Sequence, residues 1–450
     1  MKNVFSIRSD LFPLLKIAMP LALTGMIQSG VFFFETLFLA HVNEQTLAAG
    51  ALVSWLFGTI AVILFGILSS INILVALRYG ANDREGISIV ARDGLYLALF
   101  MSIPAFLLFW NMSPLFLLFG QSEAIVLLAQ TYLHALAWGL LPNFLMVAIL
   151  EVIVGIGHTR IIMIFTILSV GINIILSYIL IFGKLGFPIL GIAGAGWGTA
   201  ISYWITLIAL IIYIFFDKKY QIYFHLAFNF RKPFLIFELL QVGLPMGLMY
   251  CFEVAFFFAL TLMMGSLSSK LLAANQVVLQ YLGLLMSSMF SIAQAITVRM
   301  GHLLGANEIR AASKAIYLGV AIAAIFMSLV AILYWFFPRL LISVDFNLHD
   351  PNNFEIIHYV QQLFMISALF QIFEAMRIAL FGALRGLKDT KFTLFISIIS
   401  FWGIAFPIGY LFAFTMRLGG IGFWFAMVIG AAFSVILLFY RFQSKIQHYH

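Results

Sequence analysis

Charge is scarce in this chain. Asp, Glu, Lys and Arg make up 9% of its 450 residues, while 64% are hydrophobic. A water-soluble protein of this size must cover its core with polar side chains, and too few are present, so a soluble domain is excluded. Cysteine is nearly missing as well. The single thiol, Cys251, can form no intrachain disulfide and says nothing about a redox compartment. There is no Cys/His metal spacing, no HExxH, no paired Asp-rich motif and no nucleophile elbow. These absences argue against an enzyme and against a bound cofactor. The start, MKNVFSIRSDLFPLLKIAMP, lacks a short apolar core followed by an Ala-x-Ala-like site. It reads as a basic lead-in to a first span and not as a removable signal peptide.

Long apolar runs are present in quantity. A bilayer core needs about 20 apolar residues per helix. Twelve runs qualify, at 14–40, 51–77, 94–119, 132–154, 161–182, 190–215, 239–266, 271–298, 315–337, 359–384, 392–414 and 420–440. The expected fold is therefore an all-α integral membrane protein with twelve transmembrane helices. The charges fit that count. With the N-terminus cytoplasmic, nineteen of the 24 Lys and Arg fall on the cytoplasmic side. Four (Lys184, Lys270, Arg339, Arg417) fall in outer loops, and Arg377 lies inside a span. Such an asymmetry places both termini in the cytoplasm. It also accounts for the formal +7 without a nucleic-acid partner.

The chain repeats itself. Pro20 matches Pro245, Leu47-Ala48-Ala49 matches Leu272-Ala273-Ala274, and Gly80-Ala81-Asn82-Asp83 matches Gly305-Ala306-Asn307-Glu308, all at a shift of 225. Six spans per copy is an even number, so the copies are parallel repeats and the fold is expected to be two pseudo-symmetric six-helix bundles. The polar, basic stretch 216–234 separates an N-terminal lobe, 1–215, from a C-terminal lobe, 235–450.

Most of the 17 acids fall in loops, but Glu35, Glu253, Glu374 and Glu151 fall in or near spans. Burying a charge at mid-membrane costs several kcal/mol, so such residues usually face a cavity or a partner. Glu253 lies eight residues beyond Pro245, about 12 Å of helix rise, near the middle of its span. At the shift of 225, Glu253 faces Gln28 and Glu35 faces Leu260. A carboxylate needed by the fold should appear in both copies, so these acids point to site chemistry. Desolvated carboxyls exchange protons, sodium or organic cations near neutral pH. Arg377, three residues after Glu374, reads either as a structural counter-ion or as the group that keeps Glu374 titratable. Glu151 reads as a helix contact.

Aromatics are abundant, with 49 Phe. Met249, Tyr250, Phe252, Phe256 and Phe257 surround Glu253 in sequence, and Phe370 and Phe373 precede Glu374. Either set can cage a flat cation, or simply pack helices. The glycine-rich GIAGAGWGTA at 191–200 follows no strand and has the wrong spacing for a phosphate loop. Close helix approach explains it better.

Several stretches are familiar in combination: YGANDREG at 79–86, NIILSYILIFGKLGFPILGIAGAGWGTAIS at 173–202, PMGLMYCFE at 245–253, LLAANQ at 271–276, VRMGHLLGAN at 298–307, GALRGLKDT at 382–390, and FWGIAFPIGY followed by GGIGFW. In this order and spacing the chain resembles the multidrug and toxic compound extrusion (MATE) family, most closely its NorM-like bacterial branch. The resemblance implies a V-shaped pair of six-helix lobes and a cation-coupled exporter of small organic, cationic or amphipathic compounds, working as a monomer in the bacterial inner membrane. It implies Glu35, Glu253 and Glu374 as binding residues for the coupling ion (H⁺ or Na⁺) or substrate, with Glu253 and Glu374 holding Na⁺ if sodium is used. It implies a further ion site at Asn173, Ser177 and Thr199. There Ser177 replaces the Asn or Asp of relatives, and Leu150 and Val154 replace the usual Arg and Glu. Arg377, Gln28, Tyr250, Phe256, Phe257 and Gln276 are expected to support these sites. The rival readings are a lipid-linked oligosaccharide flippase, which needs a strongly basic cavity, an uncoupled channel, and a membrane enzyme such as a prenyl transferase, which needs acidic metal clusters.

Overall fold

The computed structural model describes residues 2–118, 120–225, 234–348 and 350–447; side chains are described from residue 12 onward, except at 352. It contains no β-strand among these residues. The helices are α1 (Lys2–Ala40), α2 (Glu44–Leu68), α3 (Ser70–Gly80), α4 (Arg84–Asn111), α5 (Ser113–Leu118), α6 (Glu123–Ala137), α7 (Leu140–Ile156), α8 (Thr159–Phe182), α9 (Ile192–Phe216), α10 (Lys218–Phe224), α11 (Ile236–Leu267), α12 (Ser269–Gly305), α13 (Ile309–Phe336), α14 (Pro338–Asp345), α15 (Phe354–Gly386), α16 (Thr390–Ile398), α17 (Phe406–Tyr410) and α18 (Gly420–Gln447). Two π-helical segments, Ile399–Ala405 and Leu411–Thr415, flank α17. Among the described residues, eleven helical stretches are long and apolar enough to cross a bilayer, with α2–α3 and α16 through Thr415 each counting as one. The pair α6–α7, bent by 48°, makes the twelfth if it is taken as one span.

Three of the expected spans are interrupted, 51–77 at Ser69 and two others beside a proline. A proline has no N–H for the carbonyl four residues earlier. Pro142 frees the carbonyl of Trp138, which instead accepts from the Trp204 indole Nε1 at 3.2 Å. The neighbouring Gly139 lies so close to α9 that a Cβ there would sit 2.9 Å from Ala200 Cα. Pro114 likewise frees the carbonyl of Trp110, which accepts from His134 Nε2 at 2.9 Å. The expected spans 132–154 and 94–119 are thus each divided, at Trp138–Gly139 and at Met112.

Contacts divide the chain into two compact units, Leu23–Gly243 (the first unit) and Met1–Ala22 with Leu244–His450 (the second unit). This differs from the expected lobes: residues 2–22 belong with the second unit, and 216–225 and 234–243 with the first. Both divisions fall inside helices, beside Pro20 in α1 and Pro245 in α11. Of the expected linker, 226–233 lie outside the described residues.

The repeat is visible in backbone hydrogen bonds. Asp83 N donates to Arg78 O and Asn82 N to Tyr79 O; Glu308 N donates to Leu303 O and Asn307 N to Leu304 O. Asn82 and Asn307 both take a left-handed conformation, φ 56° and 60°, which asparagine tolerates at a helix end. A second equivalence appears at a shift of 231. Gly157 and Lys388 both have positive φ, and His158 N→Ile153 O matches Asp389 N→Leu384 O. Just before these turns, Gly155 packs on Asn72 and Val75 while Gly386 packs on Thr297 and Met300, so each unit contains the same close helix crossing. Each unit also has its own apolar core, one including Phe109, Leu133 and Phe144, the other Phe364, Phe401 and Trp424.

Candidate ion and substrate sites

Each unit holds one buried acidic centre. In the first unit, Glu35 projects from α1 and is 5% exposed. Tyr132 on α6 donates its hydroxyl to Glu35 Oε2 at 3.0 Å. Thr199 on α9 donates to Glu35 Oε1 at 2.7 Å, and Asn173 Nδ2 on α8 donates to Thr199 Oγ1 at 2.8 Å. Asn173 therefore fixes the hydroxyl that faces the carboxylate. The small residues of 191–200 make this possible. A Cβ on Gly198 would sit 2.4 Å from Ser177 Oγ and 2.7 Å from Ser177 N, so the glycine lets α8 and α9 close up beneath the acid. Ser177 Oγ and Asn173 Oδ1 are buried and have no hydrogen-bond partner among the described residues. No basic side chain pairs with Glu35 among the described residues.

The second unit carries the opposite design. Glu374 and Arg377 lie one helical turn apart on α15 and share a face. Arg377 Nε donates to Glu374 Oε2 at 2.8 Å, and its Nη2 donates to Glu374 Oε1. Its Nη1 donates to Glu253 Oε1 on α11 at 2.8 Å. Ser397 on α16 donates to the same Glu253 oxygen at 2.7 Å. The guanidinium carbon stands 4.6 Å from the Phe381 ring centre and 4.8 Å from that of Phe401. Phe401 belongs to the π-helical segment Ile399–Ala405, an irregularity frequent at functional sites. Arg377 is 1% exposed, Glu374 4% and Glu253 8%. Two carboxylates share one guanidinium, so the cluster has a formal charge of −1.

The structure thus brings Asn173 and Thr199 to Glu35, with Ser177 under Gly198, and joins Glu253 to Glu374. Where sodium was expected between Glu253 and Glu374, it places the Arg377 guanidinium. The supporting residues fare differently. Gln28 and Gln276 are exposed and take part in neither cluster. Tyr250 turns to Arg385, whose Nη2 donates to the phenol at 2.9 Å. Phe256 is buried, tilted over Phe401 at 4.8 Å, with Phe257 edge-on to it at 5.7 Å. Both rings pack on Phe401, which itself faces Arg377. Phe370 packs against Trp424 at 5.7 Å. Glu151 accepts from Asn72 Nδ2, a contact within the first unit, as its sequence position suggests. Sequence reasoning overlooked Tyr132 and Ser397. Both are hydroxyl residues, inexpensive to bury and common in spans, so only their distance from an acid marks them out.

Comparison with known proteins bears on this arrangement. The MatE family model matches residues 20–179 and 245–411. The probable multidrug resistance protein NorM of Pseudomonas putida is 31% identical over 98% of this chain and 95% of its own. That of Synechocystis is 30% identical over 98% and 96%. Among solved structures, a MOP superfamily transporter from Pyrococcus furiosus superposes with a TM-score of 0.87 at 20% identity, covering 97% of this chain and 96% of that one. A eukaryotic MATE transporter superposes with a TM-score of 0.82 at 20% identity, covering 98% of each.

Proposed function

Since the chain belongs to the MatE family, we propose that it is a secondary antiporter of the bacterial inner membrane, exporting small organic compounds, cationic or amphipathic, by alternating access while H⁺ or Na⁺ enters. Both termini are cytoplasmic in this reading, as the distribution of Lys and Arg favours. The observation that carries it is Glu35: a buried carboxylate whose hydrogen-bond partners among the described residues are neutral. An ionised carboxylate so placed is costly, and the cost falls when a proton or a sodium ion joins it. Such a group is filled on one side of the membrane and emptied on the other. The Glu253–Glu374–Arg377 cluster supplies the net negative charge that favours an organic cation.

A lipid-linked oligosaccharide flippase would require basic groups free to hold a pyrophosphate. The intramembrane Arg377 is already committed to two carboxylates. The test is dye efflux from membrane vesicles with a proton gradient or a sodium gradient imposed separately. One gradient is expected to drive efflux, and Glu35→Gln is expected to abolish it with the same amount of protein in the membrane. Efflux indifferent to both gradients, or wild-type rates in Glu35→Gln, refutes the reading.

A further inference from the structure

Arg377 is the most buried member of its cluster, and its guanidinium spends all three nitrogens on two acids from different helices. Of the four oxygens in the pair, both from Glu374 accept from Arg377, and Glu253 Oε1 accepts from Arg377 and Ser397. Phe381 and Phe401 stand within 4.8 Å of the guanidinium carbon, where the ring faces favour a cation. We propose that Arg377 is a tethered cation that fills the Glu253–Glu374 pair and excludes sodium from it, leaving Glu35 as the only one of the three buried acids able to take the exchanged ion. The inference rests on the antiport reading above.

The physical argument is a competition for the same oxygens. A sodium ion needs several oxygen ligands at once. Here it must take oxygens that already hold a guanidinium, and it meets a like charge at contact distance in a medium that screens poorly. Displacing Arg377 is no easier, because the freed guanidinium would be left buried without its acids. Planar, bidentate recognition of a carboxylate is what arginine does best, and lysine keeps the charge but not the fork. The first unit offers the reverse. Glu35 has no guanidinium, and the unpartnered buried oxygens of Asn173 and Ser177 lie on the neighbouring helix.

Equilibrium binding of ²²Na⁺ to the purified full-length protein decides the matter. Any sodium held by the wild type is expected to disappear in Glu35→Gln. Arg377→Gln is expected to gain a sodium site at least about tenfold tighter than anything left in Glu35→Gln. Adding Glu374→Gln to it should remove that gain, and Arg377→Lys should restore exclusion, which a purely structural role would not predict. Sodium that persists in Glu35→Gln and vanishes in Glu253→Gln overturns the proposal. So does an Arg377→Gln protein that folds and gains nothing. If Arg377→Gln fails to accumulate, binding of the exchanged ion, read as ²²Na⁺ or as proton uptake, decides it: loss in Glu35→Gln alone supports the proposal, and loss in Glu253→Gln overturns it. Absence of gradient-driven efflux would sink the antiport reading while these binding results stood.

Discussion

The two acidic centres occupy repeated halves of one chain, yet they solve the burial of a carboxylate in different ways. In the first unit Glu35 is held by hydroxyls. In the second, Glu253 and Glu374 are held by a guanidinium. Aligning the halves shows how completely they have parted. At the shift of 231 set by Gly157 and Lys388, Glu374 corresponds to Asn143 and Arg377 to Met146. At the shift of 228 that pairs Gly191 with Gly419, both of positive φ, Thr199 corresponds to Met427. Neither centre has its key residues in the other copy. The helix crossings and turns are duplicated, and the chemistry is not. The repeat therefore serves as a scaffold on which two acidic centres with unlike partners have been built.

That contrast can be attacked from its strongest side first. Arg377→Met leaves two buried carboxylates without a cation and should destabilise the protein by about 3–5 kcal/mol, read as a fall in thermal midpoint in detergent. Adding Glu374→Gln should recover part of the loss, and simple additivity of the two changes would show that the residues do not act as a unit. Next comes Gly198→Ala, which drives a methyl into Ser177 and pushes α8 from α9 under Glu35. It should cost about 1–3 kcal/mol in the same assay and weaken efflux; an unchanged midpoint would mean the crossing is not close-packed. The finest comparison sets Tyr132→Phe against Ser397→Ala. Each removes one hydroxyl donor to a carboxylate, worth about 1.5–3 kcal/mol where the acid is ionised. Tyr132→Phe should cost more, because Glu253 keeps the charged Arg377 whereas Glu35 keeps only neutral donors among the described residues. Equal losses would erase the distinction between the centres.

Much of this was readable beforehand, for identifiable reasons. Spans announce themselves by length and hydropathy, and three acids inside apolar runs are hard to miss. The breaks at Trp138 and Met112 are hidden because the sequence stays apolar through both, with Pro142 and Pro114 as the available sign. Faces were the harder matter. Gln28 and Gln276 are polar residues within spans, and composition cannot tell which way such a residue points. Tyr250 sits three residues before Glu253, but its phenol serves Arg385 instead. The spacing of three places Arg377 beside Glu374. Its second bond, to Glu253 on another helix, depends on packing between α11 and α15 that no local pattern encodes.

A counter-ion that is part of the polypeptide also differs from a dissolved one in how its availability is set. Its local concentration is fixed by a short side chain, stays in the millimolar range or above by geometry alone, and does not follow the composition of the medium. The acids of the second unit are thus set apart from changes in external salt, whereas on the antiport reading Glu35 answers to the small cations that the two compartments supply.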